Sequence, residues 1–219
     1  MQAGLPHSSP RSRHRGRTGA YAWAVVALWA AGTSYAFWTF ELKHQRSFES
    51  RHTVLFDSGT RARSAEAWFR AVVAPTLTGG GAGIATVVHV YSPGCPCNRY
   101  THPHLARIMA HYQTQGVRFV AATRATDSSA GPDGLSRVTL AGGGELAWIE
   151  ATPAALVFDA HGKLVYFGPY SDSGRCGDSG GLVERVLDRI LGGQAQQPQP
   201  FYGGGCFCGA DSSATGNTI

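Results

Sequence analysis

Acidic residues are absent from the first 40 positions of this chain, although the sequence has 219 residues and a net charge of +5. Four of the 19 basic residues lie in that stretch, at Arg11, Arg13, Arg15 and Arg17, which leaves 15 basic against 14 acidic residues elsewhere. The positive charge therefore belongs to the N-terminus. The rest of the chain has no basic patch interleaved with aromatic residues, which argues against nucleic acid as a partner. It also has no internal repeat.

Residues 21–40 contain no charged side chain and are apolar, with aromatic residues near both ends. A helix of about 20 residues spans the hydrocarbon core of a bilayer. Because arginines precede this stretch and Glu41 follows it, the positive-inside rule places residues 1–20 in the cytoplasm as a basic tail. We therefore predict a single-pass anchor at 21–40 in a bacterial cytoplasmic membrane, with a periplasmic or other extracytoplasmic domain behind it.

A cleaved signal peptide is the alternative interpretation of the same stretch. The segment Ser34-Tyr35-Ala36 resembles a cleavage site. The aromatic residues that continue past Ala36 favour an uncleaved anchor. Both interpretations export the domain to an oxidising compartment, where disulfides persist.

Two of the five cysteines lie one residue apart, in Cys95-Pro96-Cys97. The β-branched apolar run at 84–91 predicts a buried strand before them. Apolar residues at helical spacing predict a helix after them, to about Gln113, with Pro96 at its first position. The cysteines are thus expected at a strand-to-helix turn. A helix N-terminus stabilises a thiolate, which is the nucleophilic form of cysteine.

The remaining sequence predicts an alternation of strands and helices between two flexible ends. A polar tether at 41–51 precedes the domain, and residues 124–145 are predicted to be a surface excursion. The other predicted elements are a strand at 52–57, a helix from Thr60 to Pro75, a strand at 117–122, a hairpin of strands at 154–158 and 163–167, and an amphipathic helix at 182–191. These patterns predict one α/β domain over 52–191 and a mobile cysteine-containing tail over 192–219.

The order of elements over residues 84–191 resembles the thioredoxin fold, a central mixed sheet flanked by helices. Cys95-Pro96-Cys97 occupies the position of the redox motif of that fold, and Thr152-Pro153 that of its cis-proline loop. The chain is also similar to an uncharacterised family of bacterial membrane-anchored thioredoxin-like proteins. Those proteins carry a Cys-Pro-Cys-Asn turn, a late cysteine after a Gly-Pro-Tyr-Ser segment, and a C-terminal Cys-aromatic-Cys. The last two correspond here to Cys176 and to Cys206-Phe207-Cys208.

The resemblance implies a set of site residues, although the cysteine spacing departs from the thioredoxin pattern of two intervening residues. It implies Cys95 and Cys97 as catalytic residues, and Thr152 with a cis Pro153 as the substrate-binding backbone. Residues two apart in a helix point to nearly opposite sides. A Cys95–Cys97 bond therefore requires Cys95 to lie outside the helix and is expected to be strained and labile.

Three functions are compatible with these residues. We favour an enzyme, a thiol–disulfide oxidoreductase of the cell envelope that acts on protein thiols or on a membrane redox partner through mixed disulfides. A copper- or zinc-handling module is the second, because soft thiolates select these metals. A non-catalytic thioredoxin-like adaptor is the third. We assign no cofactor and no metal ligands, and we expect His102, His104 and His111 to lie on the surface.

The remaining cysteines are assigned auxiliary redox roles. Five cysteines cannot all pair within one chain. The linker from Leu191 to Cys206 has a random-coil reach on the order of 20 Å, comparable to the radius of a small domain. We therefore hypothesise that Cys206 and Cys208 are a second redox pair that exchanges disulfides with the turn, testable as a Cys95–Cys206 cross-link in the double variant Cys97→Ser/Cys208→Ser. The alternative is a separate structural disulfide or metal clip, and Cys206 bonded only to Cys176 would contradict the exchange.

Overall fold

The structure is a computed structural model, and it describes residues 15–39, 45–48, 59–77, 83–124, 132, 134–140, 146–171, 181–194 and 203–209. The chain divides into two compact units, residues 1–43 and 44–219. The first unit contains helix α1 (Arg15–Phe37). Within the described ranges, no helix combines the length and the apolar character that crossing a membrane requires. Most of the stretch at 21–40 lies within α1.

The described part of the second unit consists of strands and α-helices. Its strands are β1 (Gln45–Phe48), β2 (Ala85–Val90), β3 (Val117–Thr123), β4 (Ser136–Thr139), β5 (Ala151–Thr152), β6 (Ala154–Asp159), β7 (Leu164–Gly168), β8 (Gly203–Cys206) and β9 (Cys208–Gly209). Its helices are α2 (Thr60–Trp68), α3 (Asn98–Tyr112) and α4 (Leu182–Leu191). Helix α2 continues through a π-helical turn, Phe69–Val73, into a 3-10 turn, Ala74–Thr76.

Five of these strands form the central sheet in the order β4-β3-β2-β6-β7. Strands β2, β3 and β4 are parallel to one another, whereas β6 is antiparallel to both β2 and β7. The sheet is therefore mixed and flanked by helices, as predicted. Every residue of β2 is buried because this strand is central and both of its faces are covered.

Successive residues of β2 face opposite layers of the domain, as the two-residue period of a strand requires. Val88 and Val90 pack in the core cluster that contains the α2 residues. Ala85 and Val87 pack in the second cluster, which contains the apolar faces of α3 and α4. The sheet thus separates two cores, and its central strand ends at the cysteine turn.

Three local features differ from the sequence predictions or lie beyond them. Helix α3 begins at Asn98, with Cys97 as its N-cap, so Pro96 precedes the helix instead of occupying its first position. Strand β4 lies within the predicted surface excursion and pairs with β3. The sequence did not identify this strand because only Val138 of its four residues is buried, which leaves no alternation of apolar and polar residues to recognise. The strand predicted at 52–57 lies outside the described residues.

The C-terminal segment forms two small sheets with distant parts of the chain. Strand β8 pairs antiparallel with β1, and β9 pairs antiparallel with β5. In the second pair, Ala151 lies opposite Gly209 and Thr152 opposite Cys208. The tail is thereby placed against the residues that immediately precede Pro153.

Candidate functional site

The turn between β2 and α3 holds Cys95 and Cys97 in fixed positions. The Asn98 N–H donates to the Cys95 carbonyl oxygen at 3.1 Å, and the Tyr100 N–H donates to that of Cys97 at 3.1 Å. The Asn98 side-chain amide donates to the Ser92 carbonyl oxygen at 2.8 Å, which joins the two ends of the turn. Cys95 is 4% exposed and Cys97 is 1% exposed, so neither sulfur is freely accessible in this state.

Both cysteines of the turn are bonded to the C-terminal segment. Cys95 forms a disulfide with Cys208, and Cys97 forms one with Cys206, with Cα–Cα distances of 5.8 and 5.5 Å. This state therefore contains no Cys95–Cys97 bond. The hypothesised link between tail and turn is present, and Cys206 bonds Cys97 and not Cys176.

The direction of the tail explains this pairing. When two segments approach antiparallel, the first residue of one lies opposite the last residue of the other. Cys95 precedes Cys97 and Cys206 precedes Cys208, so an antiparallel approach brings Cys95 to Cys208 and Cys97 to Cys206. The β5–β9 pairing, in which Cys208 lies opposite Thr152, holds the tail in this direction.

The two disulfides lie next to each other, and we call their residues the four-cysteine cluster (Cys95, Cys97, Cys206 and Cys208). The Sγ atoms of Cys97 and Cys208, which are not bonded to each other, are 4.0 Å apart. Those of Cys95, Cys97 and Cys208 all lie within 4.8 Å of one another. Cys206 alone among the four is partly exposed. The cluster therefore has one accessible side and a buried interior.

Thr152 and Pro153 lie directly beside this cluster. The peptide bond between them is cis, as predicted. The Thr152 carbonyl oxygen is 3.7 Å from Cys95 Sγ. Because β9 pairs with β5 here, the tail occupies the backbone that the sequence resemblance implies for substrate.

Phe207, between the two tail cysteines, anchors this segment in the domain. Its side chain is 5% exposed and belongs to the core cluster on the α2 side of the sheet. A buried aromatic side chain contributes a large apolar area. The tail is therefore held by packing and strand pairing as well as by disulfides. Cys176, predicted as an auxiliary redox residue, lies outside the described residues.

A buried histidine in β2 is a feature that the sequence patterns did not identify. His89 is 1% exposed, and its Nδ1 lies 2.9 Å from the Tyr170 hydroxyl oxygen. The His102 ring stands edge-on to it at 5.5 Å. Burial, and secondarily the charge on His102, lower the pKa of His89 to about 3. In sequence the only signal was a histidine inside a β-branched run.

The histidines of α3 divide between surface and interior. His111 is exposed, as expected, and His102 is partly buried. The expectation is wrong for His104, which is 4% exposed and whose Nε2 lies 2.8 Å from Glu184 Oε1 on α4. The position is buried because α4 packs across this face of α3.

Residues 66–210 match the model of a protein family described as a domain of unknown function, DUF6436. The chain belongs to that family. The matched region of this DUF6436 member includes the whole four-cysteine cluster, so the tail cysteines are part of the family domain. No curated protein matches the chain.

Solved structures that match part of this chain include the following three. A hypothetical protein from Sinorhizobium meliloti 1021 is 21% identical, with a TM-score of 0.46 over 61% of this chain and 82% of its own. An uncharacterized conserved protein from Geobacillus kaustophilus is 21% identical, with a TM-score of 0.46 over 61% and 79%. A thioredoxin-like superfamily protein is 17% identical, with a TM-score of 0.38 over 53% and 84%. The third of these proteins carries the thioredoxin-like name that the sequence resemblance predicted.

Proposed function

We propose that this protein is a thiol–disulfide oxidoreductase of the cell envelope, in which the C-terminal cysteine pair is the internal exchange partner of the Cys95-Pro96-Cys97 turn. The observation that carries the proposal is the four-cysteine cluster itself. Two disulfides lie side by side, and sulfurs of different bonds are as close as 4.0 Å. Disulfides exchange when a thiolate attacks a neighbouring disulfide sulfur. A reduced sulfur in this cluster therefore has an oxidised neighbour within reach.

The position of the tail supports a substrate-like role for it. Cys208 is bonded to Cys95 while its backbone pairs as a strand with Thr152. An extended peptide in a mixed disulfide with the turn would use the same main-chain pairing, since adding a strand to a free edge is a general mode of peptide binding. The tail thus occupies the site that an external protein thiol needs.

The first step opens the more accessible bond. A thiolate of a substrate dithiol attacks Cys206 Sγ, the S–S bond to Cys97 breaks, and Cys97 leaves as a thiolate with the electron pair. The second substrate thiol then attacks the substrate sulfur of the mixed disulfide and releases Cys206. The substrate is oxidised by two electrons, the Cys97–Cys206 bond is reduced, and the two substrate protons pass to the two protein thiols.

The second step redistributes the remaining disulfide without net oxidation or reduction. The Cys97 thiolate lies at the N-terminus of α3, 4.0 Å from Cys208 Sγ. Attack on Cys208 forms a Cys97–Cys208 bond and releases Cys95. Attack on Cys95 forms a Cys95–Cys97 bond and releases Cys208. In the second case no covalent bond holds the tail to the turn, and the strand at Thr152 becomes available to an external peptide.

We expect this redistribution to be visible by chemical trapping. One equivalent of a dithiol is added to the oxidised full-length chain, thiols are alkylated after increasing times, and the remaining bond is mapped by mass spectrometry. Because Cys206 is the exposed sulfur, Cys97 and Cys206 are expected to be alkylated first. Cys95–Cys97 and Cys97–Cys208 bonds are expected to accumulate later. In parallel, the chain should catalyse oxidation of a reduced dithiol peptide with glutathione disulfide as the terminal oxidant.

The double variant Cys97→Ser/Cys206→Ser is the matched control. It retains only the Cys95–Cys208 bond and should neither redistribute it nor accelerate peptide oxidation, whereas Cys176→Ser should behave like the parent chain. If the parent keeps Cys95–Cys208 at all times and oxidises the peptide no faster than the double variant, the bonds are structural and the chain is an adaptor.

The same proposal includes an extracytoplasmic location for the domain. Two disulfides persist in an oxidising compartment such as the bacterial periplasm. The arginines at 11–17 precede the uncharged stretch at 21–40, which is the charge order of an exported protein with its N-terminus inside. A fusion of alkaline phosphatase after residue 45 should therefore be enzymatically active in bacteria.

The control for this fusion removes the positive charges that precede the uncharged stretch. Replacing the four arginines by glutamine removes the orienting charge and should lower phosphatase activity at equal expression. A stable fusion without phosphatase activity would contradict an extracytoplasmic location. Fractionation of the full chain measures separately whether it remains attached to the membrane, with a soluble product starting at Phe37 identifying a cleaved signal.

A further inference from the structure

We propose that the reduced form of the four-cysteine cluster binds one Zn²⁺ ion, so that the site alternates between two disulfides and a zinc tetrathiolate. The four side chains come from two segments that each offer two cysteines with one intervening residue. Such sets of four thiolates are characteristic zinc ligands, with Zn–S bonds of about 2.3 Å. Metal binding at this site needs no catalytic turnover and stands independently of the exchange reaction proposed above.

The distances in the cluster are close to those of a tetrahedral site. Four sulfurs about 2.3 Å from one metal ion are about 3.8 Å from each other. The Sγ atoms of Cys97 and Cys208 are already 4.0 Å apart, and those of Cys95, Cys97 and Cys208 lie within 4.8 Å. Reduction has to separate the bonded pairs by roughly 1.8 Å each, because a disulfide bond is about 2.0 Å long, and Cys206 has to approach the other three sulfurs.

The surroundings favour a closed, shielded metal site. Cys95, Cys97 and Cys208 are buried, and Cys206 is partly exposed, which leaves a path for the ion. The positive end of the α3 dipole lies at Cys97 and stabilises the net negative charge of a tetrathiolate. The Thr152 hydroxyl oxygen is buried without a hydrogen-bond partner among the described residues, and Thr152 adjoins Cys95. A hydroxyl group there can donate to a ligand sulfur, as residues around metal ligands commonly do.

The reduction of the two disulfides and the binding of zinc can each be written as a balanced reaction. Two equivalents of a dithiol reduce the two disulfides, giving four protein thiols and two equivalents of oxidised dithiol. Coordination of Zn²⁺ by the four thiolates then releases four protons. Oxidation by a disulfide such as glutathione disulfide reverses the reduction and expels the ion, because a sulfur engaged in a disulfide is no longer a thiolate ligand.

Zinc binding is tested on the full-length chain in both redox states. The chain is reduced with a dithiol under argon, freed of reductant, mixed with ZnSO₄, passed through a desalting column and analysed for metal by mass spectrometry. One zinc per chain is expected after reduction and none in the oxidised chain. Co²⁺ in place of Zn²⁺ should give tetrahedral d–d absorption together with thiolate-to-metal charge-transfer bands, and a site of histidines and carboxylates would lack the charge-transfer bands.

Single serine variants identify the ligands. Cys95→Ser and Cys208→Ser should each lose the charge-transfer intensity of one thiolate and bind Zn²⁺ more weakly in competition with a chromophoric chelator. Cys176→Ser should retain one zinc and the full intensity. Zinc should also raise the Tm of the reduced parent chain, which checks folding separately. The proposal is overturned if the reduced parent retains no zinc, or if the variant with all four cluster cysteines changed to serine retains as much as the parent.

Discussion

Removing both disulfides of the four-cysteine cluster is expected to destabilise the domain by much more than twice the loss from removing one. The two bonds close loops of 113 and 109 residues between nearly the same points of the chain. The loss of chain entropy on closing a loop of that length is worth about 5 kcal/mol. Once one bond is closed, the second closes a ring of only a few residues, which is worth about 2 kcal/mol. Removal of one bond should therefore cost about 2 kcal/mol and removal of both about 7 kcal/mol.

Paired variants measure this without leaving an unpaired thiol in the four-cysteine cluster. Cys95→Ala/Cys208→Ala removes one bond, Cys97→Ala/Cys206→Ala removes the other, and the quadruple variant removes both. The free energy of unfolding is obtained from urea denaturation of the full-length oxidised chains. Cys176→Ala is the matched control and should leave it within about 0.5 kcal/mol of the parent. Losses that simply add would show that the two bonds do not close the same loop.

The sequence patterns were sufficient for the elements that carry strong apolar periodicity. The buried run at 84–91 corresponds to β2, and the helix predicted at 182–191 is α4 with the same limits. Strand β4 was missed because a short edge strand buries few side chains, and here only Val138 is buried. Strands β8 and β9 were missed because glycine-rich segments have no alternating pattern.

The residues around Cys95 and Cys97 were sufficient to predict the position of the candidate site. They were not sufficient to predict which cysteines are bonded to each other. A strand-to-helix turn with Cys95 and Cys97 follows from neighbouring residues. Which sulfur bonds which depends on the direction in which a segment more than 100 residues away approaches the turn. That direction is set by the β5–β9 pairing and by burial of Phe207, both of which are tertiary contacts. Local patterns therefore gave the reach of the tail and not its partners.

His89 shows the same limit for a single side chain. Within β2 its neighbours in sequence are valines, and nothing local distinguishes a buried histidine from an exposed one. Its environment is assembled from Tyr170, after β7, and His102, on α3. Nδ1 lies within hydrogen-bond distance of the Tyr170 hydroxyl, while Nε2 is buried without a hydrogen-bond partner among the described residues. A proton added to this ring would therefore place a charge in the interior.

Acid is consequently expected to destabilise the domain through His89. Its pKa is about 3 in the folded protein, against about 6.5 in the unfolded chain. Between these values the unfolded chain binds a proton that the folded protein does not. The stabilisation is complete above about pH 6.5 and is lost progressively as the pH falls toward 3. At pH 4.5 the loss due to this residue should be about 3 kcal/mol.

The variant His89→Gln isolates this contribution, because glutamine retains hydrogen-bonding capacity toward Tyr170 but does not titrate between pH 4 and 7. Urea denaturation of both chains at pH 7 and pH 4.5 cancels the titration of the other groups that they share. We expect the parent to lose about 3 kcal/mol more than His89→Gln over this interval. The exposed His161 provides the matched substitution, and His161→Gln should lose as much stability as the parent. Equal losses in the parent and His89→Gln would mean that the His89 imidazole accepts a proton in the folded protein as readily as in the unfolded chain.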